Sequence, residues 1–164
     1  MVDVTIATDD EGTRSVRGAL VLDRQTPRHR LQLFDGALVI DLAAAPSGAR
    51  AVLHQPTGLG EDAAREVAIG LLDAFVPLDP DTIRGQEDDG SLRLEDGPEG
   101  VGRRVRVGDD GWPRRFDFEG SGSRWSMELG PQIRLRGSGY TFWLTQRRTE
   151  AHATLEDVLF EIPR

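Results

Sequence analysis

Apolar and polar residues alternate with a period of two along most of the chain. VRGALVLDRQTPRHRLQLFDGALVIDL, from Val16 to Leu42, alternates apolar and polar residues almost throughout, with Arg, Gln and Asp among the polar ones. That pattern marks strands with one face turned inward. Turn chemistry interrupts it at short, regular intervals: DDEG, Asp35-Gly36, PSG, the DDG ending at Gly90, EDGPEG, the DDG ending at Gly111, GSGS and GSG. Gly and Asp supply the positive φ angles of tight hairpins. The predicted strands are Val2–Thr8, Ser15–Asp23, His29–Phe34, Ala37–Leu42, Ala49–His54, Ser91–Glu95, Arg103–Gly108, Arg114–Glu119, Arg124–Leu129, Gln132–Arg136, Tyr140–Gln146 and Val158–Ile162.

One stretch has a different period. GEDAAREVAIGLLDAF places Ala64, Val67, Ala68, Leu71, Leu72 and Phe75 on one side of a 3.6-residue helix. Glu61 and Asp62 sit in its first turn, where acidic side chains favour the helix dipole, and Pro77 and Pro80 stop it. Its other side carries Arg65, Glu66 and Asp73. A lone amphipathic helix among strands must lie on one face of the sheet, and its Ala and Gly content permits close approach.

The alternation is strongest near the C-terminus. In RRFDFEG, Phe116 and Phe118 share a face; in RWSMELG, Trp125, Met127 and Leu129 do. GSGS, Gly120–Ser123, joins the two runs as a hairpin, so their apolar faces coincide. Arg115, Asp117, Glu119, Arg124, Ser126 and Glu128 take the opposite face. The fold class that follows is mainly β (α+β): a curved antiparallel sheet or half-barrel with one amphipathic helix packed on its concave face.

Composition narrows the functions available. The 164 residues carry a formal net charge of −8, and all 20 basic residues are Arg. An acidic surface without a basic stripe excludes general nucleic-acid binding. Without Cys there is no disulfide frame and no thiolate metal site. No apolar run of signal length follows Met1, and no stretch is long enough for a membrane-spanning helix. A cytoplasmic protein is expected, or a periplasmic or outer-membrane-associated one whose targeting segment has been removed.

No catalytic constellation stands out. His29 and His54 lie in predicted strands between Arg or Gln neighbours, where a surface or edge role is expected, and His152 lies apart from both. The Asp-rich turns lack calcium-loop spacing. GSGSRW and GSGYTF precede strands rather than helices, so they are hairpin turns and not phosphate cradles. The aromatic set Trp112, Phe116, Phe118, Trp125, Tyr140, Phe142 and Trp143 is read as core, with Trp143 on the face opposite Phe142 as an exposed aromatic. The expectation is a non-enzymatic protein that needs no cofactor.

The opening stretch resembles the start of the sheet in the LolA/LolB-like lipoprotein-carrier superfamily. A Gly-initiated strand leads through an R…P…R pattern to a strand RLxL and a DG turn; here these are Gly18, Arg24, Pro27, Arg30, Leu31, Leu33, Asp35 and Gly36. DGWPRRFDFEG is similar to the family's DG-x-P turn and strand, and TLEDVLFEIP to its Phe-containing ending, Phe160 to Pro163. The resemblance implies one half-barrel domain over residues 1–164, here without the family's N-terminal helix and targeting segment. It also implies an apolar concave face for lipid or lipoprotein acyl chains, Arg residues that hold the helix shut, and an envelope protein as partner.

Burying acyl methylenes is worth about 0.8 kcal/mol each, so a chain can be held without polar chemistry. The residues expected to line the face are Leu31, Leu33, Val39, Leu71, Leu72, Phe75, Phe116, Phe118, Trp125, Met127 and Leu129. The alternative is a structural or protein-interaction module whose sheet face is a filled core.

Overall fold

The computed structural model describes residues 1–23, 25–120, 122–150 and 155–162. Arg24, Ser121, His152 and Pro163, all used in the sequence reading, lie outside the described residues. The chain runs β1 (Val2–Thr8), β2 (Gly12–Asp23), β3 (Arg28–Asp35), β4 (Ala37–Ala45), β5 (Gly48–Leu53) and α1 (Glu61–Phe75). It continues through β6 (Ile83–Gln86), β7 (Leu92–Leu94), β8 (Gly102–Val107), β9 (Pro113–Gly120), β10 (Ser123–Glu128), β11 (Ile133–Gly137) and β12 (Tyr140–Gln146). A 3-10 turn, Pro98–Gly100, separates β7 from β8.

All twelve strands form one antiparallel sheet in the order β5-β4-β3-β2-β1-β12-β11-β10-β9-β8-β7-β6. The order explains the position of the helix. Strands β1 to β5 and β6 to β12 are two meanders, joined mid-sheet where β1 pairs with β12. Their outer edges are β5 and β6, which are consecutive in sequence. The connection between them carries α1 across one face.

That face is concave. The helix touches β3, β4 and β5 and also β10 and β11. In a flat sheet β5 and β10 would lie about 34 Å apart, at about 4.8 Å per strand. A fifteen-residue helix is about 22 Å long. One helix reaches both only if the sheet bends around it. The sheet is not closed, because β5 and β6 remain edges.

Close packing explains two glycines. A Cβ on Gly70 of α1 would meet Leu135 Cδ2 at 2.5 Å, so the helix backbone lies directly on β11. A Cβ on Gly18 would meet Leu33 Cδ2 at 2.7 Å. Two expectations change. Val158–Ile162 is not a strand; Asp157–Phe160 is a 3-10 turn, held to β3 by Arg28, whose guanidinium lies 4.1 Å from the Phe160 ring centroid. The short strand β6 was not anticipated, because Ile83-Arg84-Gly85-Gln86 has little apolar alternation and pairs with β7 through a bulge.

Candidate functional site

The helix and the strands beneath it converge on one apolar surface. Leu31 and Leu33 on β3 and Val39 on β4 form an aliphatic wall with Ile40 and Leu42, all buried. The register pairs Trp125 with Phe118 and Met127 with Phe116, as the hairpin reading required. Phe118 and Trp125 stack with ring centroids 5.3 Å apart, and Phe118 stacks on Phe116 at 6.0 Å. These form an aromatic wall, continued by Leu135 on β11, which pairs with Met127. Leu71 and Leu72 descend from the helix and are buried; Phe75 and Leu129 are half-buried.

The structure thus brings all eleven expected residues into or against one core, closed over by α1. Their side chains occupy the space between helix and sheet. Two open grooves of about 620 and 630 Å³ lie elsewhere, one between the β4–β5 hairpin and residues 157–162, the other beside β1, β2 and the β3–β4 turn. None of the eleven residues lines either groove.

The back of the aromatic hairpin is charged, as the alternation predicts. Arg115 bonds Asp117 at 2.8 Å, Arg124 bonds Glu119 at 2.9 Å, and Glu128 accepts from Arg134. Behind the aliphatic wall, Arg30 grips Asp41 through two hydrogen bonds of 2.9 and 2.5 Å. The resemblance had singled out Arg30; Asp41, nearly inaccessible within an apolar strand, gave no sequence signal.

Four polar contacts tie α1 to the sheet and its loops. Arg65 donates to both carboxylate oxygens of Glu99 at 2.7 Å, and Glu99 also accepts from the backbone N–H of Ala49 on β5. Glu99 has a positive φ of 61°, which a non-glycine residue adopts only under tertiary constraint. The Arg65 bonds hold its carboxyl below the usual range. Glu66 accepts from the Tyr140 hydroxyl at 2.9 Å. Burial, reinforced by the Glu66 charge, pushes the Tyr140 phenol well above its ordinary pKa.

Asp73, near the end of α1, accepts from Arg103 of β8 at 2.5 Å. Burial pushes its carboxyl up to about 6, against the pull of Arg103. The register places Arg103 opposite Phe118, on the concave face. His29 gives the fourth contact and a correction. It is fully buried beneath the helix, with Nε2 2.7 Å from the Ala68 carbonyl oxygen. That carbonyl can only accept, so Nε2 carries the proton and Nδ1 is bare. Burial drives the imidazole pKa down to about 4, although the Ala68 bond opposes the shift.

Two buried atoms at this interface have no hydrogen-bond partner among the described residues: His29 Nδ1 and Trp125 Nε1. Two aromatics depart from expectation. Trp112 is 67% exposed in the β8–β9 turn, where Gly111 bends the chain, and Trp143 is half-buried rather than exposed. His54 is exposed.

A twelve-stranded open sheet thus bends around one tethered helix over a continuous apolar face. The crystal structure of a LolA superfamily protein from Nitrosomonas europaea is similar to this chain over 98% of its length and 88% of that chain, with a TM-score of 0.55 and 14% sequence identity. The chain therefore has a LolA-like fold. No protein-family model and no curated protein sequence matches the chain.

Proposed function

We propose that the protein binds the acyl chain of a lipid or lipoprotein between α1 and the aromatic wall, as a non-enzymatic carrier of the bacterial envelope. One observation carries this reading: a single helix seals a continuous apolar face assembled from both halves of the sheet, and polar contacts at its margins hold it there. Displacing the helix would expose that face to a chain. The apolar side chains supply the affinity, and no proton transfer is required. The binding residues are the eleven named above. The LolA-type fold agrees with a lipoprotein-carrier-like role, and the reading implies a periplasmic or outer-membrane-associated location with an envelope protein as the delivery partner.

The packed state of the same face favours a second reading, a structural or interaction module with no ligand. Leu31, Leu33, Val39, Leu71 and Met127 are each 0% exposed. Native mass spectrometry of protein purified from cells separates the two. Co-purified lipid of defined mass supports the carrier. Ligand-free protein, together with failure to take up an added fatty acid, supports the module.

A further inference from the structure

We propose that the indole N–H of Trp125 is a hydrogen-bond donor reserved for the carbonyl oxygen of the ligand, so that the site selects acyl esters or acids over hydrocarbon chains of equal length. The inference rests on the acyl-binding reading and adds a specificity-determining residue to it.

Three observations converge on this nitrogen. Trp125 is 5% exposed, and its Nε1 has no acceptor among the described residues. Indole N–H can only donate, and buried donors in folded proteins are rarely left unpaired. The ring is also fixed: it stacks almost parallel on Phe118, at an interplanar angle of 8°. Finally, Nε1 faces the helix at its barest point, 3.8 Å from where a Cβ on Gly70 would stand. The donor therefore lies at the seam between α1 and the aromatic wall, the surfaces that must part for a chain to enter.

A donor already stripped of water loses nothing further when a carbonyl arrives. In the sealed state it is unsatisfied, and in the loaded state it is paired, so ligand and seal compete for the same seam with a bias toward a carbonyl-bearing ligand. A hydrocarbon gains the apolar contacts and leaves the donor orphaned.

The test uses decanoate, methyl decanoate and decane, with the full chain labelled with ¹⁵N at the indole nitrogens. The Trp125 indole resonance, assigned by elimination with Trp112→Phe and Trp143→Phe, should move downfield on saturation with the two carbonyl probes and should lack that shift with decane. Trp125→Phe, which keeps the stack on Phe118, should weaken both carbonyl probes about tenfold relative to decane, the loss of roughly one buried hydrogen bond. The indole readout needs no variant at the site, so a poorly folded Trp125→Phe does not spoil it. If the carbonyl probes bind but the indole resonance is indifferent to the head group, the donor role is overturned and acyl binding stands. If none of the three probes binds, the acyl reading falls and this inference falls with it.

Discussion

The two walls beneath α1 are built differently. On one side the helix packs chiefly against β4 and β5, over buried aliphatic side chains. His29, a fully desolvated anchor, bonds the helix backbone there. On the other side the helix touches β10 and β11 less extensively. The aromatic wall carries its own stacking, and α1 meets this side where Gly70 lies on Leu135 and through two polar contacts, Asp73 to Arg103 and Glu66 to Tyr140. A surface that keeps its shape without a cover can be uncovered. The carrier reading therefore takes the aliphatic side as the hinge and the aromatic side as the opening.

The largest test of this asymmetry is Leu71→Ala. Leu71 is 0% exposed, and truncating a buried Leu costs about 2–5 kcal/mol when the surroundings cannot collapse. Urea denaturation should show a loss in that range. A loss well below it would mean that Leu71 lines a compliant cavity rather than a packed hinge.

Acid separates the two sides next. His29 is held neutral when folded, with a pKa of about 4 against 6.5 ordinarily. The unfolded chain binds that proton more readily, so stability is full above pH 6.5 and drains away between pH 6.5 and 4, by about 3 kcal/mol. Asp73 acts in the opposite sense. Its folded pKa is raised to about 6 from 3.8, so the folded state holds the proton more tightly and stability grows as pH falls from 6 to 3.8, by a similar amount. The two effects largely cancel in the native chain. His29→Gln should become relatively more stable toward pH 4, and Asp73→Asn relatively less. Urea midpoints across pH 4–7 read both, and parallel profiles for the two variants would contradict the assignment.

Gly70→Ala probes the opening alone. The added methyl must push aside Leu135, itself fully buried, and such overpacking costs about 1–3 kcal/mol. Hydrogen exchange should rise in α1 and at β11 while β4 stays protected. The smallest effect is expected from Tyr140→Phe, which removes one hydrogen bond to Glu66 and about 1 kcal/mol, measured by thermal unfolding.

Much of this architecture is legible in the sequence, because its determinants are local. Alternation in Tyr140–Gln146 and the apolar spacing from Ala64 to Phe75 coincide with β12 and the apolar side of α1. The Phe116–Phe118 and Trp125–Met127 faces coincide because a short hairpin leaves them little choice. What the sequence hides is non-local. Arg65 and Glu99 are 34 positions apart, and Glu66 and Tyr140 are 74 apart. Arg103 shares the inward parity of Val101 and Val105, but nothing local names its partner, Asp73, 30 positions away on another element. His29 sits on the inward parity of β3 with Leu31 and Leu33, a signal that was present but was outweighed by its Arg neighbours. Whether the concave face is filled or hollow depends on the height of the helix above it, and thus on contacts such as Gly70 against Leu135.

The central claim is that the seam at the aromatic wall opens to an acyl chain. A variant with Trp112→Phe and Trp143→Phe leaves Trp125 as the sole Trp. Titrated with a fatty acid below its micelle threshold, its fluorescence should shift saturably as a chain replaces the helix over the ring. No saturable change, with the fold intact, would contradict the carrier account and leave a filled-core interaction module in its place.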